Sequence, residues 1–284
     1  MARTILHIGA HKTATTYMQK KLAINVDQLS ARGIHYDPLE VLRRNFTNTL
    51  QDPAKGNSDF IARLRERIKV QHVIVSEENM PGVPGDLVRN GVYYAYARDR
   101  LKLVGSLLDI TTPEIFMALR EYSGFIVSMY CEYIRHREFI SFADYFEIYK
   151  KSGFSWVKVV GDIVEALPGA RVRLWDFSKF RTIENEVYSL MLGQDSAFLT
   201  APEGPVRESF SDAAMRSYEA LSAVLSHHEM KGLINPISRA LPKGDVHKAF
   251  NPLTQEVTDS LKAQYKQDLQ AVREKFPSIE FIGG

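Results

Sequence analysis

Four short runs of apolar residues punctuate the first two thirds of the chain: Ile5-Leu6-His7-Ile8, His72-Val73-Ile74-Val75-Ser76, Glu114-Ile115-Phe116-Met117-Ala118-Leu119 and Arg171-Val172-Arg173-Leu174-Trp175. Each is strand-length, and their near-continuous apolar character is what a parallel strand covered on both faces requires. Between them the apolar positions recur every three or four residues. This spacing predicts helices over 15–32, ended by Gly33; over 39–50; over 59–70, capped by Ser58; over 93–108; and from a Ser123 cap to His136. Further helices are expected from Ser141 or Asp144 onward, over 156–167 and over 184–192. Ile34-His35-Tyr36 reads as a short extended piece.

The last third changes character. Ser211 is placed to cap a helix running to about Ser226, and 254–276 is a long amphipathic helix through Leu261, Tyr265, Leu269 and Val272. The intervening 232–251 bears prolines and glycines with little periodicity, and is expected to be an irregular lid or binding loop. Strands alternating with helices predict an α/β three-layer sandwich with a central parallel sheet of four to five strands, plus a helical C-terminal region. A single domain over 1–284 is expected, with 1–200 as the α/β core and 201–284 as its helical or lid part.

Composition narrows the functional classes. Lys plus Arg number 36 against 34 for Asp plus Glu, so neither a nucleic-acid surface nor a polybasic membrane patch is expected. A lone Cys131 rules out an intrachain disulfide and a multi-cysteine metal site, and His227, His228 and His247 lack metal-ligand spacing. No signal-like segment or membrane-spanning run is seen, and a cytoplasmic location is the expectation.

The densest chemistry follows the first strand: Gly9-Ala10-His11-Lys12-Thr13-Ala14-Thr15-Thr16. A strand, a tight loop and a helix start would turn backbone N–H groups and the positive helix end toward one point, where anions bind. Lys12 adds a full charge, and Thr13, Thr15 and Thr16 add hydroxyl donors. The alternative is an ordinary strand–turn–helix with a solvated lysine. The spacing is not G-x-x-x-x-G-K-[ST], because Gly9 precedes Lys12 by only three residues.

The run His7-Ile8-Gly9-Ala10-His11-Lys12-Thr13-Ala14-Thr15-Thr16 resembles the 5′-phosphosulfate loop of sulfotransferases that use 3′-phosphoadenosine 5′-phosphosulfate (PAPS). One departure is Ala14, where that family usually has glycine. Alanine would cost about 1 kcal/mol or more there if positive φ is required. A second segment, with Arg120 at a strand end and Ser128 eight residues on, is similar to the family's 3′-phosphate site. The family often has proline shortly after the arginine, where this chain has Tyr122 and Ser123. Left to itself, Arg120 could instead pair with Glu121 or Glu132. The third segment, Ser76-Glu77-Glu78-Asn79-Met80, looks like the strand-end run that carries the glutamate base of carbohydrate-modifying and many bacterial members.

The resemblance implies a P-loop NTPase-like fold and sulfuryl transfer from PAPS to a hydroxyl, releasing adenosine 3′,5′-bisphosphate (PAP), with no metal. His11, Lys12, Thr13, Ala14, Thr15, Thr16, Arg120 and Ser128 would hold the nucleotide, Lys12 would also serve catalysis, and Glu78, or its neighbour Glu77, would be the base. Two adjacent carboxylates are expected to raise each other's pKa. A sugar or glycolipid hydroxyl is the expected acceptor. Arg207, Ser209 and Lys248 are candidates to complete the 3′-phosphate pocket, and Tyr93, Tyr94 and Tyr96 could stack on a ring. A small-molecule kinase and a non-catalytic nucleotide- or glycan-binding module remain as alternatives. The sequence leaves the oligomeric state open.

Overall fold

A computed structural model describes residues 2–204 and 209–284. The centre is one six-stranded sheet in the order β2-β3-β1-β4-β5-β6, with every pairing parallel. The strands are β1 (Arg3–Gly9), β2 (Ile34–Tyr36), β3 (His72–Ser76), β4 (Glu114–Leu119), β5 (Arg171–Asp176) and β6 (Glu280–Phe281). The expected four to five strands become six because Ile34–Tyr36 pairs with β3 and the chain's end adds β6. A two-residue strand carries no periodicity to read. Ion pairs bring it in: Glu280 takes Arg171 Nε at 2.5 Å and Arg173 Nε at 2.8 Å. Arg173 also reaches Glu114, which is bound by Arg3 Nε at 2.7 Å. Burial acts to raise the Glu114 pKa, but the hydrogen bonds from Arg3 and Arg173 outweigh it and hold the carboxyl at about 2.

Alternation along the strands serves two faces at once. Leu6, Ile8, Val73, Val75, Ile115, Met117 and Leu174 enter one core, whereas Ile5, Ile74, Phe116, Ala118 and Trp175 enter the other. That is why these strands read as unbroken apolar runs. The thinner face is covered by α1 (Thr15–Ile24), α2 (Val26–Ser30) and, later in the chain, Phe180–Leu192. The expected single helix over 15–32 breaks at Asn25, whose side chain donates to the carbonyls of Lys21 (2.7 Å) and Thr200 (2.9 Å).

The thicker face begins with α3 (Leu39–Asn45), which passes into a 3₁₀ turn at Thr47–Leu50 where one helix was expected. Next come α4 (Ser58–Val70), α5 (Asp86–Asn90) and α6 (Ala97–Leu108). The cap of α4 is Asn57, accepting from Phe60 N at 3.0 Å, with Ser58 inside the helix. After β4 come α7 (Tyr122–His136), α8 (Phe142–Lys151) and α9 (Trp156–Ala166). Glu121, not Ser123, caps α7 by accepting from the N–H groups of Ser123 and Gly124. After β5, α10 (Phe180–Leu192) starts earlier than its apolar pattern suggested.

In the last third, Ser211 caps α11 (Asp212–Leu221) as expected, α12 (His227–Met230) follows, and the supposed irregular stretch contains α13 (Ile234–Ala240). Thr254 caps α14 (Gln255–Lys275). Asp268 of α14 ties the C-terminal helix to the sheet's rim. It accepts from Ser155 Oγ and Trp156 N, both at 2.8 Å, and from the Tyr122 hydroxyl. Among the described residues no helix is long and apolar enough to cross a membrane.

Candidate active site

Strand order reverses beside β1: the chain passes out to β2 and β3 on one side, then returns to β4 on the other. In open parallel sheets, the crevice at such a reversal is where the loops after the flanking strands part to form a site. Here those loops begin at Gly9, Glu77 and Arg120, the three segments picked out in the sequence.

Gly9 is needed for two reasons. Its φ is +109°, and a Cβ placed on it would lie 3.2 Å from His11 N and 3.3 Å from the Glu78 Cβ. The first loop therefore runs against the third strand's end with no room for a side chain. Lys12 and Ala14 both take left-handed backbone, with φ of 62° and 63°. The position where the resemblance substitutes alanine for glycine does demand positive φ. Ala14→Gly is expected to stabilise the protein by about 1 kcal/mol, relief of the left-handed cost exceeding the extra flexibility given to the unfolded chain. Urea unfolding of the two proteins checks this, and an unchanged midpoint would contradict it.

Ala14 is the N-cap of α1 and offers no side-chain acceptor. The first backbone bond of the helix is Met18 N to Ala14 O at 3.0 Å. Among the described residues, the N–H groups from Lys12 to Tyr17 donate to nothing. These are the orphan donors of a helix start, unoccupied by any cap and reinforced by the helix dipole. The side chains of the loop divide. Thr13 is fully buried and donates its hydroxyl to Ala10 O at 2.6 Å, so it shapes the loop from inside. The Thr15 and Thr16 hydroxyls bond to no described group. The His11 ring is buried between Tyr94, with Nδ1 3.0 Å from its hydroxyl, and Asn79, with Nε2 3.0 Å from Oδ1. His11 N–H also donates to that hydroxyl. Nε2–H donates to the Asn79 amide oxygen, and Nδ1 shares a hydrogen bond with the Tyr94 hydroxyl. His11 is thus spent on joining the first loop to the second, and His7 is a buried strand residue 2.7 Å from Ser76 Oγ, its pKa lowered by burial to about 4.

Lys12 reaches out of the loop to Glu132 of α7, Nζ to Oε2 at 3.2 Å, with 20% of its side chain exposed. Arg120 lies behind the loop. It donates to Lys12 O, its guanidinium sits 5.1 Å from the Phe177 ring centroid, and a Cβ on Gly124 would lie 3.3 Å from Nη2. Among the described residues no carboxylate pairs with Arg120, so neither Glu121, which caps its helix, nor Glu132, which takes Lys12, is its partner. Burial pushes the Arg120 pKa down. Gly124, Ser128 and Glu132 follow at four-residue intervals on one face of α7, so Ser128 falls between the Arg120 and Lys12 contacts. Its half-buried hydroxyl bonds to no described group.

The two glutamates have different fates. Glu77 is fully buried. It takes Arg43 Nε at 2.8 Å and Nη2 at 3.0 Å, the Thr47 hydroxyl at 3.1 Å and Asn79 N at 3.0 Å. Glu78 is partly open and is held by Gln19 Nε2 at 2.9 Å and Arg43 Nη2 at 3.1 Å. The mutual elevation expected of adjacent carboxylates does not hold for Glu78. Burial acts upward, but nearby His11 and Arg43 and the Gln19 hydrogen bond outweigh it, and its pKa lies below the usual glutamate range.

Of the other candidates, Tyr93 and Tyr94 are core residues, Tyr93 sharing a 2.7 Å hydroxyl contact with Tyr145, while Tyr96 is exposed. Ser209 and Lys248 are exposed beside the Ser211–Ala249 bridge, and Arg207 lies outside the described residues. Arg43, Gln19 and Phe177 were not singled out in the sequence, and Asn79 was read only as part of the Ser76–Met80 run, with no role of its own. Gln19 carried a faint signal, as a polar residue next to the buried stripe Met18–Leu22. Arg43 and Phe177 had none. Among the described residues no cluster of three or more His, Cys, Asp or Glu side chains is placed to hold a metal.

No protein-family model matches this chain, and no curated protein does. Among solved structures it is similar to a sulfotransferase from Alicyclobacillus acidocaldarius at 15% identity, over 96% of this chain and 99% of that one, with a TM-score of 0.42.

Proposed function

We propose that the protein is a PAPS-dependent sulfotransferase acting on an acceptor hydroxyl. The observation that carries this reading is the convergence, at one sheet edge, of an uncapped helix start with Lys12, an arginine that makes no carboxylate ion pair among the described residues, and a glutamate whose pKa is held down. The free amides of residues 12–17, the Thr15 and Thr16 hydroxyls and the Lys12 ammonium suit a 5′-phosphosulfate. Arg120 and Ser128, on the β4 side, suit a second phosphate at the ribose 3′ position, the group that separates PAPS from ATP.

Glu78 takes the proton of the acceptor hydroxyl as its oxygen bonds to sulfur. The bond from sulfur to the 5′-phosphate oxygen breaks, and Lys12 and the loop amides balance the charge gathering on that phosphate. The products are a sulfate ester and PAP. Resemblance of the Glu77-Glu78 segment to carbohydrate-modifying members points to a sugar or glycolipid hydroxyl, and a cytoplasmic, single-domain enzyme is part of the same proposal. Incubation with ³⁵S-labelled PAPS and a panel of glycosides and glycolipids tests it: a labelled ester and stoichiometric PAP are expected, whereas phosphoryl transfer from ATP without sulfuryl transfer would replace it with the kinase reading.

Among the described residues, Glu132 is the carboxylate paired with Lys12 and so would compete with the nucleotide for it. Glu132→Gln is expected to tighten PAP binding about three- to tenfold, since an anion of the same sign leaves the site. Calorimetry reads this directly, and weaker binding would show that Glu132 supports the site rather than competing with it.

A further inference from the structure

Arg43 stands on α3, far in sequence from every strand end that builds the site, yet it contacts both strand-end glutamates. We infer that Arg43 is the positioning residue for Glu78, clamping it through Glu77 and in concert with Gln19 so that it faces the first loop as a fixed carboxylate. This rests on the reading of Glu78 as the base.

The geometry is that of a one-sided vice. Glu77 is immobilised by the Thr47 hydroxyl and the Asn79 amide, and its two oxygens take Nε and Nη2 of Arg43 in a fork. A guanidinium held that way has no freedom left, so the third contact, Nη2 to Glu78 Oε1, is made from a fixed point. Gln19 holds the other oxygen, Oε2, from α1, and its amide also reaches Ser76 O at 3.3 Å. Both Glu78 oxygens are thereby engaged, and each keeps a lone pair for an incoming hydroxyl. A lysine at 43 could not make these three contacts, because a single ammonium lacks the planar fork.

The groups that face Glu78 are His7 from β1, His11 from the first loop, Tyr36 from β2, Arg43 from α3, Glu77 beside it and Tyr94 from the segment before α6. Only Arg43 among them is permanently cationic. Burial favours the protonated acid; His11, then Arg43 and the Gln19 hydrogen bond, act against it and hold the Glu78 pKa down, and Arg43 is the one of them fixed by a fork on a buried carboxylate.

The test is a carboxyl titration. Protein labelled with ¹³C at glutamate Cδ is titrated by NMR, and Glu78→Gln assigns the Glu78 signal. In Arg43→Met the Glu78 midpoint is expected to rise by about one pH unit or more, so that in acid the ionised fraction falls about tenfold. The acid limb of kcat/KM should rise with it, KM for PAPS should hold, and Arg43→Lys should recover part of the movement. Arg43→Met strands a buried Glu77 charge and could unfold the chain. The double variant Arg43→Met/Glu77→Gln removes that charge and should show a midpoint above that of Glu77→Gln alone. A Glu78 midpoint unchanged from wild type in a folded Arg43→Met, or no higher in the double variant than in Glu77→Gln alone, overturns the assignment. If the wild type fails to turn over PAPS, the sulfotransferase reading falls, while the titration still decides what Arg43 does.

Discussion

Glu78→Gln should lower sulfuryl transfer about 10²- to 10⁴-fold while leaving PAP binding and thermal stability near wild type. Its neighbour should do the reverse. Glu77→Gln should lower stability by about 2 kcal/mol, several degrees in Tm, with activity per folded molecule far less affected. The contrast follows from their contacts. Glu77 is sealed among Arg43, Thr47 and the Asn79 amide, where a neutral amide offers only one acceptor oxygen. Glu78 is partly exposed beside the loop that starts at Gly9, and its two partners hold it without enclosing it. Steady-state kinetics and thermal unfolding of the two variants separate these roles. The pH profile adds a sign. With Glu78 proposed as the base, its ionised form would be the active one; its folded pKa is depressed, so activity should persist from neutrality down through the usual glutamate range and fall below it. In Glu78→Gln that limb should vanish from the residual activity.

Lys12→Ala should lower kcat/KM for PAPS about 10²- to 10³-fold, with a clear loss of PAP affinity. Lys12 is the only full positive charge carried by the first loop, and it stands on a left-handed backbone that turns it across to α7 rather than into the sheet. Its removal also takes one cation from Glu132, whose side chain is 9% exposed and whose other oxygen lies 3.5 Å from His136 Nε2. The double variant Lys12→Ala/Glu132→Gln removes that like charge and should recover part of the affinity but little of the turnover. Wild-type kcat/KM in Lys12→Ala would take Lys12 out of the site and leave it as an ion-pair partner of α7.

What the sequence made legible was whatever has a period or a local motif. β1, β3, β4 and β5 were readable because each is a run of buried residues feeding two cores. β2 was read only as a short extended piece and β6 not at all, since three and two residues hold little pattern and both are placed by partners elsewhere, β6 by Arg171 and Arg173 more than a hundred residues upstream. Caps were misassigned where two capable residues stand close. Asn57 outcompetes Ser58, and Glu121 reaches the α7 amides that Ser123 was expected to serve. The candidate site followed the same rule. The loop, the strand-end arginine and the glutamate pair were found because each sits just after a strand. The sequence could pose the conformation of Ala14 as a question but not answer it. Arg43 could not be found at all, because its meaning depends on α3 folding back over β3. For the same reason the repulsion expected between Glu77 and Glu78 was misjudged: the cation that stabilises both lies 34 and 35 residues upstream.

The most direct test of the central claim is calorimetric titration with adenosine 3′,5′-bisphosphate, with ATP and 5′-AMP as controls, on wild type and Arg120→Ala. Tight binding that needs the 3′-phosphate and is lost in Arg120→Ala is the result this account predicts. ATP binding more tightly than the bisphosphate, or equal binding by wild type and Arg120→Ala, would contradict it.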